Sequence, residues 1–144
     1  MRTIFGVDSI RLTDVDGSPA GKKEFLCWNS PCKDPENPSL GRVDPVLESA
    51  KLFTQLILRG IRAIAFCRAR NACELLVKEV KSEFVRLDRS EVAPRVMAYR
   101  GGYTPQDRRQ IEKEMFEGHL LGIVATSALE LGVDIGSLGI SVCR

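Results

Sequence analysis

From Asp44 onward the chain alternates short apolar runs with longer amphipathic stretches, and this alternation restricts the fold more than any other feature of the sequence. Asp44 is placed to cap a helix with Pro45 at its first position, where a fixed φ suits the first turn and no backbone N–H is needed. Val46, Leu47, Ala50, Phe53 and Ile57 then line one side of that helix, and Gly60 stops it. "IRAIAFC" reads as a buried strand, and Ala72, Leu75, Leu76, Val80 and Phe84 mark a second helix. A loop with Pro94 leads to the strand "RVMAY". Thr104, Pro105 and Asp107 make a capping-box-like start for a third helix carrying Ile111, Met115 and Phe116, with Gly118 ending it. "LLGIVAT" is the next strand, Ser127 to Leu131 a short helical turn, and "LGISVC" a last strand. Strands joined through helices of this length require crossover connections, which are right-handed and build a parallel sheet with helices on both faces. The expected fold class is α/β.

The first 44 residues have another pattern. Up to about Asn29 the period is two, with Ile10 and Leu12 on one face and Phe25 and Cys27 similarly spaced. Asp16-Gly17 between them is a hairpin signal, because glycine accepts positive φ without a steric penalty. A β-hairpin is therefore expected to precede the domain. "SPCKDPENPSLGRVD", residues 30–44, holds three prolines and few large apolar groups, so it reads as a surface loop, ordered or not, and as the stretch most expected to move. The chain thus divides into residues 1–44, hairpin and Pro-rich loop, and residues 45–144, the α/β domain.

Composition excludes more than it selects. Lys+Arg 21 against Asp+Glu 19 leaves a net charge of +2, so a polyanion partner is indicated only if particular arginines cluster. The longest apolar runs, such as "IAFC" and "LLGIVA", are far shorter than a membrane span, and Arg2 is followed by no sustained apolar region of the signal-peptide kind. The five cysteines at 27, 32, 67, 73 and 143 are odd in number and lack metal-ligand spacing, and His119 is the only histidine. No metal site and no membrane partner are expected. Cysteine usage of this kind fits a reduced intracellular protein.

In parallel sheets, ligands bind beyond the carboxyl ends of the strands, where turns and helix N-termini present unpaired N–H groups. The residues just past each strand are therefore the informative ones. After "IRAIAFC" come Arg68-Ala69-Arg70, after "RVMAY" Arg100-Gly101-Gly102-Tyr103, and after "LLGIVA" Thr126-Ser127. Each taken singly has an ordinary explanation: solvated arginines, a glycine turn, a helix-capping threonine. Together on one rim they have the composition of a phosphate-backbone surface, with guanidinium for charge, glycine for close main-chain approach and hydroxyls for oxygen contacts.

The order "AIAFCRAR", "YRGGYTPQDRRQIEKEMFEG", "VATSALELGVDIG" resembles the second RecA-like domain of superfamily 2 helicases, over about residues 61–136. "AIAFCRAR" is similar to motif IV, the glycine turn with Arg108 downstream to the His-Gly and Arg segment, and "VATSALELGVDIG" to motif V. "YRGGYTPQDRR" with the upstream "DGSPAGKKEFLCWNSP" is most similar to the RecQ-like crosslink-repair and mitomycin-repair DNA helicases; the Lhr helicases share "LELGVDIG". The resemblance implies that Arg68, Arg70, Arg100, Gly101, Gly102, Thr126 and Ser127 face the sugar-phosphate backbone of single-stranded DNA, with RNA an alternative. It implies too that Glu130, Gly132 and Asp134 face the interdomain ATP cleft, Asp134 helping to position the ribose or a neighbouring arginine. One segment touching nucleic acid at its start and nucleotide at its end would couple the two.

Several departures accompany the match. No G-x-x-x-x-G-K-[ST] occurs: "GSPAGKK", Gly17 to Lys23, is too short between its glycines and has Lys23 where a magnesium-binding hydroxyl belongs. No acidic Walker B box is present, and the sequence ends at Arg144 before a motif VI arginine finger. No catalytic set is complete in these residues. ATP and Mg are thus expected only together with the first RecA-like domain of the same protein, and this chain alone is expected not to hydrolyse ATP. The competing reading is a freestanding nucleic-acid or protein-interaction module that kept the fold and lost the motor.

Overall fold

A computed structural model describes residues 6, 14, 17, 21–126, 129 and 138–143. Four parallel strands form one sheet: β1 (Ala63–Phe66), β2 (Val96–Tyr99), β3 (Gly122–Ala125) and β4 (Ile140–Cys143), in the order β2-β3-β1-β4. Three α-helices connect them: α1 (Pro45–Leu58) leads into β1, α2 (Arg70–Arg86) joins β1 to β2, and α3 (Pro105–Phe116) joins β2 to β3.

The helix ends obey the local chemistry of the sequence. Asp44 Oδ1 accepts the Val46 amide at 2.7 Å with Pro45 in the first turn, and Gly60, at φ +74°, turns the chain away beyond α1. At α3, Thr104 Oγ1 accepts the Asp107 amide while Asp107 Oδ2 accepts the Thr104 amide, a complete capping box, and Gly118 at φ +80° ends the element.

Alternation along the strands separates two cores. Ala63, Ala65, Val96, Ala98 and Val124 face α1 and α2, against Phe53, Ile57, Leu76, Val80 and Phe84. Ile64, Tyr99, Ile123 and Ala125 point the other way and pack with Ile111 and Met115 of α3. Helices thus cover both faces, as the α/β reading requires. The start of β1 is also tied to the α3 layer, since Arg62, just before the strand, donates to the Met115 carbonyl at the end of α3.

Some expectations need correction. Leu47 and Leu75 are 43% and 45% exposed, and Phe116 is 59% exposed. Each stands next in sequence to a buried residue, Val46, Leu76 or Met115, and one residue is a rotation of about 100° on a helix, enough to leave the apolar stripe. The stretch before β2 is a 3-10 helix, Ser90–Arg95 with Pro94 inside it, rather than an irregular loop. Residues 30–44 are closed by backbone pairing: Cys32 bridges Arg42, the Lys33 amide donates to Gly41 and the Val43 amide to Pro31, each at 2.9 Å, around a 3-10 turn at Pro38–Leu40. Arg42 Nη1 seals the neck on the Ser30 carbonyl at 2.6 Å. Of the expected hairpin, residues 21–30 carry no strand, and Phe25 and Leu26 are 92% and 88% exposed. The remainder of the hairpin and the Ser127–Leu131 turn, apart from isolated positions, lie outside the described residues.

Candidate functional site

Strand register determines how the rim is assembled. Phe66 of β1 and Tyr99 of β2 both pair with Ala125 of the intervening β3, so the next residues, Cys67, Arg100 and Thr126, leave the sheet side by side. The ladder continues one step past the strands: the Cys67 amide donates to the Ala125 carbonyl at 2.8 Å and the Thr126 amide to the Tyr99 carbonyl at 3.3 Å. The turns bearing Arg68 and Arg70, Arg100 to Gly102, and Thr126 therefore converge on one border of the sheet. Ser127, Glu130, Gly132 and Asp134 lie outside the described residues.

Arg68 and Arg70 are exposed. Arg70 opens α2, whose N-cap is Ala69, so the N-cap side chain makes no hydrogen bond to the first amides of this 17-residue helix where it begins at the rim. Behind the turn, Cys67 and Cys73 are buried, and the Cys73 thiol is pushed up to about 12 by burial and by Cys67 beside it, which keeps it neutral. Cys73 therefore offers no reactive thiolate to this border.

The turn after β2 is closed by the Tyr103 amide donating to the Arg100 carbonyl at 3.2 Å, with Gly101 and Gly102 at its centre and exposed. Neither glycine has a positive φ. A Cβ added at Gly101 would meet nothing within 4 Å, and one at Gly102 only the end of the Arg100 side chain at 3.9 Å. Nothing inside the described chain requires glycine at either position.

Two contacts of Arg100 were not visible in the sequence. Its Nε lies 2.9 Å from Glu74 Oε1 of α2, close as an ion pair though not aligned as a hydrogen bond, and its guanidinium stands 5.1 Å over the Tyr103 ring. The one sequence signal was the adjacency of Arg100, the glycine pair and Tyr103; nothing pointed to Glu74. Beneath the turn, Tyr99 donates its hydroxyl to Glu112 Oε1 of α3 at 2.5 Å, beside Arg108. Burial and the Glu112 carboxylate push this phenol up to about 12. Among the described residues no group of three potential metal ligands occurs, and no helix is long and apolar enough to cross a membrane.

The chain matches the helicase conserved C-terminal domain over residues 48–142. It is 46% identical over 138 residues to the ATP-dependent helicase hrq1 of Schizosaccharomyces pombe, covering 96% of this chain and 13% of that protein. It is 38% identical over 134 residues to the ATP-dependent helicase YprA of Bacillus subtilis, covering 92% of this chain and 17% of that one. A crystal structure of the DUF1998 helicase MrfA bound to DNA and AMPPNP superposes with a TM-score of 0.78 at 34% identity, over 92% of this chain and 18% of that one. This chain therefore spans less than a fifth of the length of each of these relatives. With the parallel sheet and its two helical layers already in place, these matches show that the chain belongs to the helicase conserved C-terminal domain family, as a second RecA-like domain of superfamily 2 in the branch of the RecQ-like Hrq1 and YprA helicases.

Proposed function

We propose that this chain is the C-terminal RecA-like domain of an ATP-dependent DNA helicase acting in DNA repair, and that its rim binds the backbone of single-stranded DNA. The observation that carries the reading is the convergence of the three turns after β1, β2 and β3 on one border, where exposed Arg68 and Arg70, a helix start without an N-cap side-chain hydrogen bond and two conformationally unneeded glycines meet. Glycines without an internal reason leave room for an outside chain to approach the main chain, and arginines beside helix-start amides suit phosphate oxygens. MrfA, solved with DNA and AMPPNP, supports the same assignment.

The nucleotide half of the reading rests on the resemblance at Glu130, Gly132 and Asp134. These residues would close over ATP and Mg held chiefly by the first RecA-like domain of the same protein. No G-x-x-x-x-G-K-[ST] occurs in the 144 residues, so this chain alone is read as inactive in ATP hydrolysis.

Binding through the backbone should be weak on this single domain, indifferent to base sequence and strongly salt-dependent. Changing Arg68 and Arg70 together to Ala should weaken binding of a single-stranded oligodeoxynucleotide. The slope of log affinity against log salt should flatten by about one unit per lost phosphate contact. An unchanged slope would make these arginines solvated surface charges and end the backbone reading; equal affinity for the ribo-oligonucleotide would remove the preference for DNA.

A further inference from the structure

We propose that Glu74 is a positioning residue that holds Arg100 in reserve across the rim, its carboxylate standing where a strand phosphate is to bind. The inference rests on the backbone-binding reading and adds to it a means of control.

Arg100 and Glu74 follow strands that the sheet does not place next to each other. Arg100 comes directly after β2 and Glu74 lies near the start of the helix after β1, with β3 between those strands. Their contact therefore joins the helix after β1 to the turn after β2. The guanidinium is held from two sides, by the carboxylate 2.9 Å from Nε and by the Tyr103 ring at 5.1 Å. Two simultaneous partners restrict the rotamers of a long side chain and orient its planar fork before a ligand arrives.

The pair is built to be exchanged. The two side chains retain 36% and 48% of their accessibility, so solvent screens the attraction, and a phosphodiester oxygen has the charge and acceptor geometry to take the place of the carboxylate. After exchange, Glu74 is an unpaired acid beside a phosphate, which repels the strand and favours release. Arg100 thus contributes less to binding than its position on the rim suggests, and Glu74 sets how much less.

The test is titration of the 144-residue chain with a single-stranded oligodeoxynucleotide over a series of salt concentrations. Glu74→Gln, a conservative change at an exposed site, should tighten binding by about three- to tenfold at low salt and steepen the salt slope by about one unit, the signature of one further phosphate contact. Introducing Glu74→Gln into Arg100→Gln should produce no such gain. Glu83→Gln, which removes a carboxylate paired with Arg86 at the far end of α2, should leave the slope alone. A gain that persists without Arg100, or that Glu83→Gln reproduces, would show only a general field effect and overturn the proposal, as would no gain at all in a chain that binds. Failure of the unaltered chain to bind the oligonucleotide would instead overturn the backbone reading beneath it.

Discussion

Gly122, the first residue of β3, lies against the ring of Phe53 in α1: a Cβ built on it would fall 2.8 Å from Phe53 Cε1 and 3.0 Å from Ile57 Cδ1. Phe53 is fully buried and Ile57 nearly so, which leaves the ring little room to retreat. Gly122→Ala should therefore destabilise the domain by about 1–3 kcal/mol, the usual cost of overfilling a packed core. Urea unfolding monitored by far-UV circular dichroism measures this; the single Trp28 is 68% exposed and reports the core poorly. Phe53→Leu should recover part of the loss in the double variant, since it removes the atoms that clash. An unchanged midpoint for Gly122→Ala would mean that the close approach of helix and strand is not a constraint.

Alkaline pH should weaken the fold through Tyr99. This residue is 2% exposed, its phenol donates to Glu112 Oε1, and it is pushed from the ordinary 10.0 to about 12. A raised value means that the folded state retains a proton the unfolded chain gives up, so the contribution is intact below pH 10.0 and is lost as pH rises toward about 12. Tyr99→Phe should cost about 0.5–1.5 kcal/mol near neutrality, where a hydrogen bond is lost. It should also flatten the fall of unfolding free energy above about pH 10. Cys73 shifts in the same direction and overlaps this window, so the comparison is made in a Cys73→Ala background. Parallel curves with and without the Tyr99→Phe change would place the alkaline loss elsewhere.

The rim was legible in the sequence because a parallel sheet leaves few choices. Once "IRAIAFC", "RVMAY" and "LLGIVAT" are strands joined through helices, the residues after them must emerge on one border, and Arg68, Arg100 and Thr126 do. Side-chain pairing on that border was not legible. Glu74 belongs to the helix after β1 and Arg100 to the turn after β2, so their contact depends on the strand order β2-β3-β1, which periodicity does not reveal. Apolar count alone also misplaced Leu47, Leu75 and Phe116, each one residue outside its stripe. Residues 30–44 form the mostly exposed loop that the prolines indicate, but its closure was not legible: backbone bonds such as Lys33 to Gly41 and Val43 to Pro31 leave no hydrophobic pattern to read.

The capping box that starts α3 links stability to the site. Thr104 Oγ1 accepts the Asp107 amide at 3.1 Å and donates its own proton to Asp107 Oδ2 at 2.7 Å, directly after the turn that holds Arg100, Gly101, Gly102 and Tyr103. Removing the hydroxyl orphans first-turn amides, so Thr104→Ala should cost about 1 kcal/mol of stability, while Thr104→Ser, which keeps the acceptor, should retain most of it. Because the helix start anchors the end of the turn, Thr104→Ala should also weaken oligonucleotide binding modestly. No charge leaves the rim, so the salt slope should stay as it was. Loss of affinity with a flattened slope would instead show that Arg100 had left the border with the turn, and equal destabilisation by Ser and Ala would show that the hydroxyl is not what holds the helix start in place.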